Sequence, residues 1–168
     1  YQRRIEQQAY TDFLTGLYNR MCCERDLARQ IDQAKKTGGK GALLYLDLDD
    51  FKHINDGLGH QYGAVLLKSI SHSLQRIPEI HNTCYRMGGD EFLMVACDVT
   101  QEEADTLKAR WEEELARLNT LDDNINCVIA VGMVFSEKPY QLPVLLAKAD
   151  ELMYEDKKAK KKPGEEIR

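Results

Sequence analysis

Apolar positions recur along the chain with two periods, and together they divide it into alternating helices and strands. Tyr1, Ile5 and Ala9 keep helical spacing in an otherwise polar stretch, as the last turns of an incoming helix would. That helix ends at Asp12-Phe13-Leu14-Thr15-Gly16, where glycine and small polar residues mark a turn. Asn19 is placed to cap a helix running to about Lys36, with Cys23, Leu27, Ile31 and Ala34 as its apolar stripe. Thr37-Gly38-Gly39 stops it. Residues 41–49 read as a strand whose second half sets Leu44, Leu46 and Leu48 on one face and Tyr45, Asp47 and Asp49 on the other. A polar stretch from Asp50 to Gly63 follows, with a short helix expected over Phe51 to Asp56. Tyr62, Leu66, Ile70, Leu74 and Ile77 mark a second long helix, stopped before Pro78.

The second half repeats the alternation. Residues 83–87 and 91–97 predict two strands joined through Gly88-Gly89, a glycine pair that signals a hairpin. Ala104, Leu107, Trp111, Leu115 and Leu118 form a helix face, opened by the capping box Thr100-x-x-Glu103. Residues 126–135 are apolar on both faces, as in a buried strand. Leu145, Ala149 and Leu152 define a last helix that runs into the lysine-rich stretch Lys157 to Lys162. The order strand–helix–strand–strand–helix–strand predicts an α+β, ferredoxin-like sandwich with a mostly antiparallel central sheet. In that arrangement helices are expected on one sheet face, leaving the other for a site.

Composition narrows the classes. A chain of 168 residues, 43% hydrophobic, fits one domain with one sizeable core. Its net charge of −5 supplies no broad basic field, which argues against a nucleic-acid polymer as partner. No apolar run spans a bilayer, and no signal-peptide pattern is present. Five cysteines without a C-x-x-C pair suit a reducing compartment, and a cytoplasmic location is expected. Because the chain begins at Tyr1, we expect a fragment: residues 1–10 as the end of an incoming signalling helix, residues 11–168 as the domain, and a regulatory or sensory neighbour before it.

Two places carry candidate chemistry. Asp47-Leu48-Asp49 brings carboxylates to a strand end, and Gly88-Gly89-Asp90-Glu91 sets acids on a tight turn. In a ferredoxin-like sheet the first strand lies beside this hairpin, so Asp47 and Asp90 are expected to converge. Converging carboxylates repel unless a cation lies between them, and hard oxygen ligands select Mg²⁺, with Mn²⁺ as the alternative. Magnesium keeps waters and phosphates in its shell, which points to a nucleotide substrate. Glycines beside the acids let such a substrate approach the backbone. Lys52, Asn55 and His60 lie in the loop beyond the strand, where lysine suits phosphate and asparagine suits a base edge. Taken singly, each feature also reads as ordinary turn or surface chemistry, and the tail lysines as a solvated helix end.

Taken together they resemble one family. Arg86-Met87-Gly88-Gly89-Asp90-Glu91-Phe92 is similar to the signature of the GGDEF family, the diguanylate cyclases, whose fold is nucleotidyl-cyclase-like. Asp12-Phe13-Leu14-Thr15-Gly16-Leu17-Tyr18-Asn19-Arg20 resembles the family's lead-in motif, and the run from Asp47 to Asp56 its strand-loop. Gly59-His60 and Gly63 continue the match, as does Ala149-Asp150 through Tyr154 to Lys157, so about residues 11–162 are covered in order. The resemblance implies that Asp47, the carbonyl of Leu48 and Asp90 hold Mg²⁺ on GTP. It implies Glu91 as general base or ligand of a second metal, and Lys52, Lys157, Lys161 and the amides near Asp50 and Phe51 on the phosphates. Asn55 and His60 are implied at the guanine, and Gly88 and Gly89 beside the substrate. A homodimer is implied as well, because two GTP molecules must attack each other across two domains.

Three departures qualify the match. Ala64 stands where the family usually has an aspartate that accepts hydrogen bonds from guanine, which predicts weaker or relaxed base selectivity. Glu79-Ile80-His81-Asn82 replaces the Arg-x-x-Asp of the family's product-inhibition site, so inhibition through that site is not expected. Lys161 stands where arginine is common, keeping the charge but losing the bidentate fork. The alternatives to a diguanylate cyclase are therefore a synthase of relaxed specificity and a non-catalytic GTP-binding regulatory module.

Overall fold

A computed structural model describes residues 9–37, 41–48, 56–77, 82–121, 129–136 and 142–160. In chain order the elements are β1 (Tyr18–Asn19), α1 (Arg20–Thr37), β2 (Gly41–Leu48), α2 (His60–Gln75), β3 (Asn82–Gly88), β4 (Glu91–Cys97), α3 (Gln101–Leu121), β5 (Ile129–Ser136) and α4 (Leu142–Lys160). The first turns of the incoming helix, all but Asp56 of the short helix expected over Phe51 to Asp56, and the start of the strand expected from residue 126 lie outside the described residues. Ala9 and Tyr10, at the end of the incoming segment, are helical.

The strands form one sheet in the order β1-β3-β4-β2-β5. β4 is central and pairs antiparallel with β3 and with β2, β2 pairs antiparallel with β5, and β1 adds a short parallel edge to β3. This is the expected α+β sandwich with its split strand–helix–strand crossovers. The two capping signals hold. Asn19 Oδ1 accepts the Cys22 amide at 3.0 Å, capping α1. Thr100 and Glu103 exchange reciprocal bonds of 3.1 and 3.2 Å at the start of α3.

The sheet is covered on both faces, which corrects the expectation of an open one. On one face Leu46, Phe92, Met94 and Val131 pack against Leu66, Ile70 and Leu74 of α2 and Trp111, Leu115 and Leu118 of α3. On the other face Tyr85, Leu93, Val95 and Val134 pack against Cys22, Cys23 and Leu27 of α1 and Ala149 of α4. The reason lies in the strands themselves. Central strands with apolar side chains at odd and even positions need two covers, and burying each large apolar side chain is worth roughly 1.5–3 kcal/mol. A site on this sheet is therefore confined to the strand ends.

The last helix also differs from its expected face. Leu152 is 39% exposed, whereas Ala149 and Met153 are buried, with Lys157 one turn further along the same face. The helix approaches β5 at Gly132, where a Cβ would lie 2.1 Å from the carbonyl oxygen of Ala149 and 2.5 Å from the amide nitrogen of Met153. Asp156 Oδ2 accepts the Val131 amide at 2.8 Å and fixes the far end of the same contact. No helix among the described residues is long and apolar enough to cross a membrane.

Candidate active site

Strand alternation sets the first acid. Leu46 enters the core toward α2 and α3, so Asp47 projects to the opposite, α4 side. There it lies directly across from Glu91 on β4 and Ala130 on β5. The second acid comes from the β3–β4 hairpin, whose two-residue turn is Gly89-Asp90. The register slips between Arg86 and Gly88, leaving a bulge at Met87, and Gly89 has φ +29°. Bulges of this kind re-aim a strand end. Among the described residues no heavy atom lies within 4 Å of where a Cβ would sit on Gly88 or Gly89, which leaves room there for a ligand.

The two acids meet a buried lysine. Lys157, 6% exposed, donates from Nζ to Asp47 Oδ2 at 3.1 Å. Asp47 Oδ1 is buried and has no hydrogen-bond partner among the described residues. Burial is the largest influence on Asp47 and raises its carboxyl above the ordinary range; the charge of Asp90 adds to this, and Lys157 opposes it. Burial likewise raises Asp90, with the charge of Glu91 acting the same way against hydrogen bonds from its own backbone and Asp47 and against the Lys157 charge. Two buried acids beside one ammonium, with one oxygen lacking a partner among the described residues, make a place that further positive charge would stabilise. A divalent cation on oxygen ligands fits that need. No three His, Cys, Asp or Glu side chains among the described residues cluster closely enough to hold an ion unaided. A cation here would complete its shell with backbone, water or substrate oxygens, and the Leu48 carbonyl follows Asp47 directly on β2.

The structure thus brings together Asp47, Asp90 and Lys157, with Glu91 in register and Gly88 and Gly89 at the turn. His60 opens α2 and is exposed, while Ala64 is half-buried near the start of that helix. Asp50, Phe51, Lys52, Asn55 and Lys161 lie outside the described residues.

Pattern reading missed a clasp behind the turn. Arg86 Nη2 donates to the carbonyl of Gly89 at 2.8 Å, and its Nη1 pairs with Asp12 at 3.1 Å. Asp12 in turn accepts from the amide and hydroxyl of Thr15 at 2.9 and 2.6 Å. Burial, the largest influence on Asp12, pushes its carboxyl up, but Thr15 and Arg86 together hold it below the ordinary range. The lead-in turn and the acidic hairpin are therefore tied through one guanidinium. The available signal was an arginine two residues before the glycine pair, with no indication of its partner.

Comparison with known proteins places this geometry. The sequence profile described as "Diguanylate cyclase, GGDEF domain" matches residues 9–163. Diguanylate cyclase VdcA of Vibrio cholerae is 29% identical over 159 residues, covering 92% of this chain and 46% of that protein. Cyclic di-GMP phosphodiesterase PdeR of Escherichia coli is 32% identical over 157 residues, covering 91% of this chain and 23% of that one. The chain thus spans less than half the length of either relative. Among solved structures, the coiled coil and GGDEF domain of DgcB from Caulobacter crescentus, in complex with c-di-GMP, superposes with a TM-score of 0.85 at 23% identity, covering 95% of this chain and 86% of that one. That similarity supports the same fold, and the profile match over nearly the whole chain gives the assignment: the chain belongs to the GGDEF domain family.

Proposed function

We propose that this domain is a diguanylate cyclase. It condenses two GTP into cyclic di-GMP and releases two pyrophosphates, each 3′-hydroxyl attacking the α-phosphate held by the facing domain of a homodimer. The observation that carries this reading is the convergence of Asp47 and Asp90 on a buried ammonium, with one buried oxygen of Asp47 lacking a hydrogen-bond partner among the described residues. Asp47, Asp90 and the Leu48 carbonyl hold Mg²⁺, with Mn²⁺ as substitute. The bound cation neutralises developing charge on the phosphates. Glu91, in register with Asp47, accepts the proton of the 3′-hydroxyl. Lys157, Lys52, Lys161 and the amides of Asp50 and Phe51 orient the triphosphate. Asn55 and His60 take the guanine, and Gly88 and Gly89 admit the nucleotide to the backbone. Phosphoryl transfer depends mainly on such positioning and charge neutralisation. The domain works in the cytoplasm under an upstream regulatory domain.

A second reading has a specific support. PdeR, 32% identical, is named a phosphodiesterase and this chain matches only 23% of its length, so a domain of this type also accompanies other activities. Together with Ala64, this favours a non-catalytic nucleotide-binding regulator as the alternative. Losing a buried charged acceptor costs about 1–3 kcal/mol, roughly tenfold to a hundredfold in guanine binding. The test is mass-spectrometric product identification with Mg²⁺ and GTP, ATP or both, on protein fused to a dimeric coiled coil. Cyclic di-GMP, abolished by Glu91→Gln with nucleotide binding retained, supports the cyclase. An adenine-containing dinucleotide reassigns the substrate, and silence with tight GTP binding supports the regulator.

A further inference from the structure

A cavity of about 340 Å³ lies at the start of β3, between the lead-in turn and the end of α2, away from the acidic hairpin. That volume falls within the range of small-molecule pockets, about 300–1,000 Å³. Its space comes from the way β1 joins the sheet. The pairing of β1 with β3 starts at Tyr18 and Tyr85, so it does not extend to Thr83 and Cys84, which line the cavity. The chain enters β1 through Gly16, at φ +77°, and among the described residues no heavy atom lies within 4 Å of its Cβ position. Leu17, Leu74 and Ile77, all buried, supply an apolar lining from both the turn and the helix end. No Asp, Glu, Lys, Arg or His lines the space. The polar side chains on it belong to Gln75, Thr83 and the half-exposed Tyr18.

We propose that this cavity binds a small, neutral, planar heterocycle carrying an adjacent N–H and C=O, and that its occupancy is felt at the acidic hairpin. The uncharged lining selects against phosphate-bearing ligands, because burying a charge without a partner is costly. The apolar walls suit ring faces, and the Tyr18 ring adds an aromatic contact. A carboxamide and a hydroxyl each donate and accept, so Gln75 and Thr83 complement a ligand edge that does both. The link to the hairpin is short. The Leu17 carbonyl accepts the Asp12 amide at 2.6 Å, Asp12 pairs with Arg86, and Arg86 grips the Gly89 carbonyl. A ligand packed on Leu17 thus bears on the turn that carries the clasp. None of this depends on the cyclase reading, and the test uses neither nucleotide nor metal.

The test is ¹H–¹⁵N NMR of the labelled chain titrated with quinolin-2-one, and separately with quinoline, the same ring system without the N–H and C=O pair. Quinolin-2-one is expected to give saturable shifts of the Gly16, Leu17, Thr83 and Cys84 amides, with Gly89 moving at the same midpoint. Quinoline is expected to bind about tenfold more weakly, the worth of one lost hydrogen bond. Thr83→Phe fills the space and is expected to remove the shifts; should it not fold, Gln75→Trp serves the same purpose from the helix side. Absence of saturable shifts overturns the proposal, as does binding that persists unchanged in a folded filling variant. Equal affinity for the two probes refutes the ligand class. A Gly89 amide that stays fixed while the cavity saturates refutes the link to the hairpin.

Discussion

Gly132→Ala tests whether the packing of α4 on β5 sets the site. The new Cβ would stand 2.1 Å from the Ala149 carbonyl oxygen and 2.5 Å from the Met153 nitrogen, both backbone atoms that no rotamer change can move. Restoring an ordinary contact of 3.4 Å requires α4 to retreat by about 1 Å. A gap of that size forfeits a quarter to a half of each dispersion contact along the seam, and overpacking of this type costs about 1–3 kcal/mol. With a urea slope of roughly 2 kcal/mol/M, the denaturation midpoint falls by about 1 M. The single tryptophan, Trp111, is fully buried and reports the transition by fluorescence. The same retreat would stretch the 3.1 Å bond between Lys157 and Asp47 beyond hydrogen-bonding reach, so nucleotide affinity falls with stability. Gly57→Ala is the control: among the described residues no heavy atom lies within 4 Å of its Cβ position, and its stability stays within about 0.5 kcal/mol of wild type. A Gly132→Ala protein with the wild-type midpoint and normal nucleotide binding would refute the reasoning.

Two further perturbations probe the acids, and their pH dependences have opposite signs. Asp12 is held below its unfolded value of 3.8, so its contribution is present above that value and is lost as pH falls through the lower folded one. Asp12→Asn is expected to cost about 1–3 kcal/mol at pH 7 and to remove this acid-side loss, measured by urea midpoints between pH 5 and pH 3. Asp90 is raised in the fold, so its contribution is complete below 3.8 and is lost as pH rises through the higher folded value. Asp90→Asn is therefore expected to stabilise the metal-free domain at pH 7 by on the order of 1 kcal/mol while abolishing turnover, and a thermal melt showing destabilisation would contradict the assignment.

What could be read from sequence was whatever a local pattern encodes. The alternation Leu46-Asp47-Leu48 placed the acid opposite the core, Thr100-x-x-Glu103 marked the start of α3, and Gly88-Gly89 marked the hairpin. What escaped depends on partners distant in the chain. The cover on the second sheet face comes from α1 and α4, more than a hundred residues apart, and neither stripe names its target. On α4 the choice between Leu152 and Met153 as the inward residue is made by the notch at Gly132, which periodicity does not see. The pairing of Arg86 with Asp12 spans 74 positions and leaves no spacing signature. The acids were legible as residues. The devices that hold them were not.

Those devices explain why the site lies where it does. With both sheet faces buried, functional groups can gather only where strands end, and there backbone order is weakest because pairing stops. Two members of the cluster, Asp90 and Lys157, are therefore fixed by something other than strand neighbours. Asp90 rides on a turn whose Gly89 carbonyl is gripped by Arg86, which is itself anchored to Asp12. Lys157 is carried by a helix seated in a glycine notch and pinned by Asp156. Asp47 alone relies on the ladder, with Glu91 and Ala130 in register on either side. The result buries Asp47 and Asp90, whose carboxyls are raised by desolvation first and then by the charge of Asp90 and of Glu91 respectively, a cost that folding alone does not explain. A constellation held against that cost by the Arg86 clasp and the Gly132 notch has the fixed geometry that the proposed cation site requires.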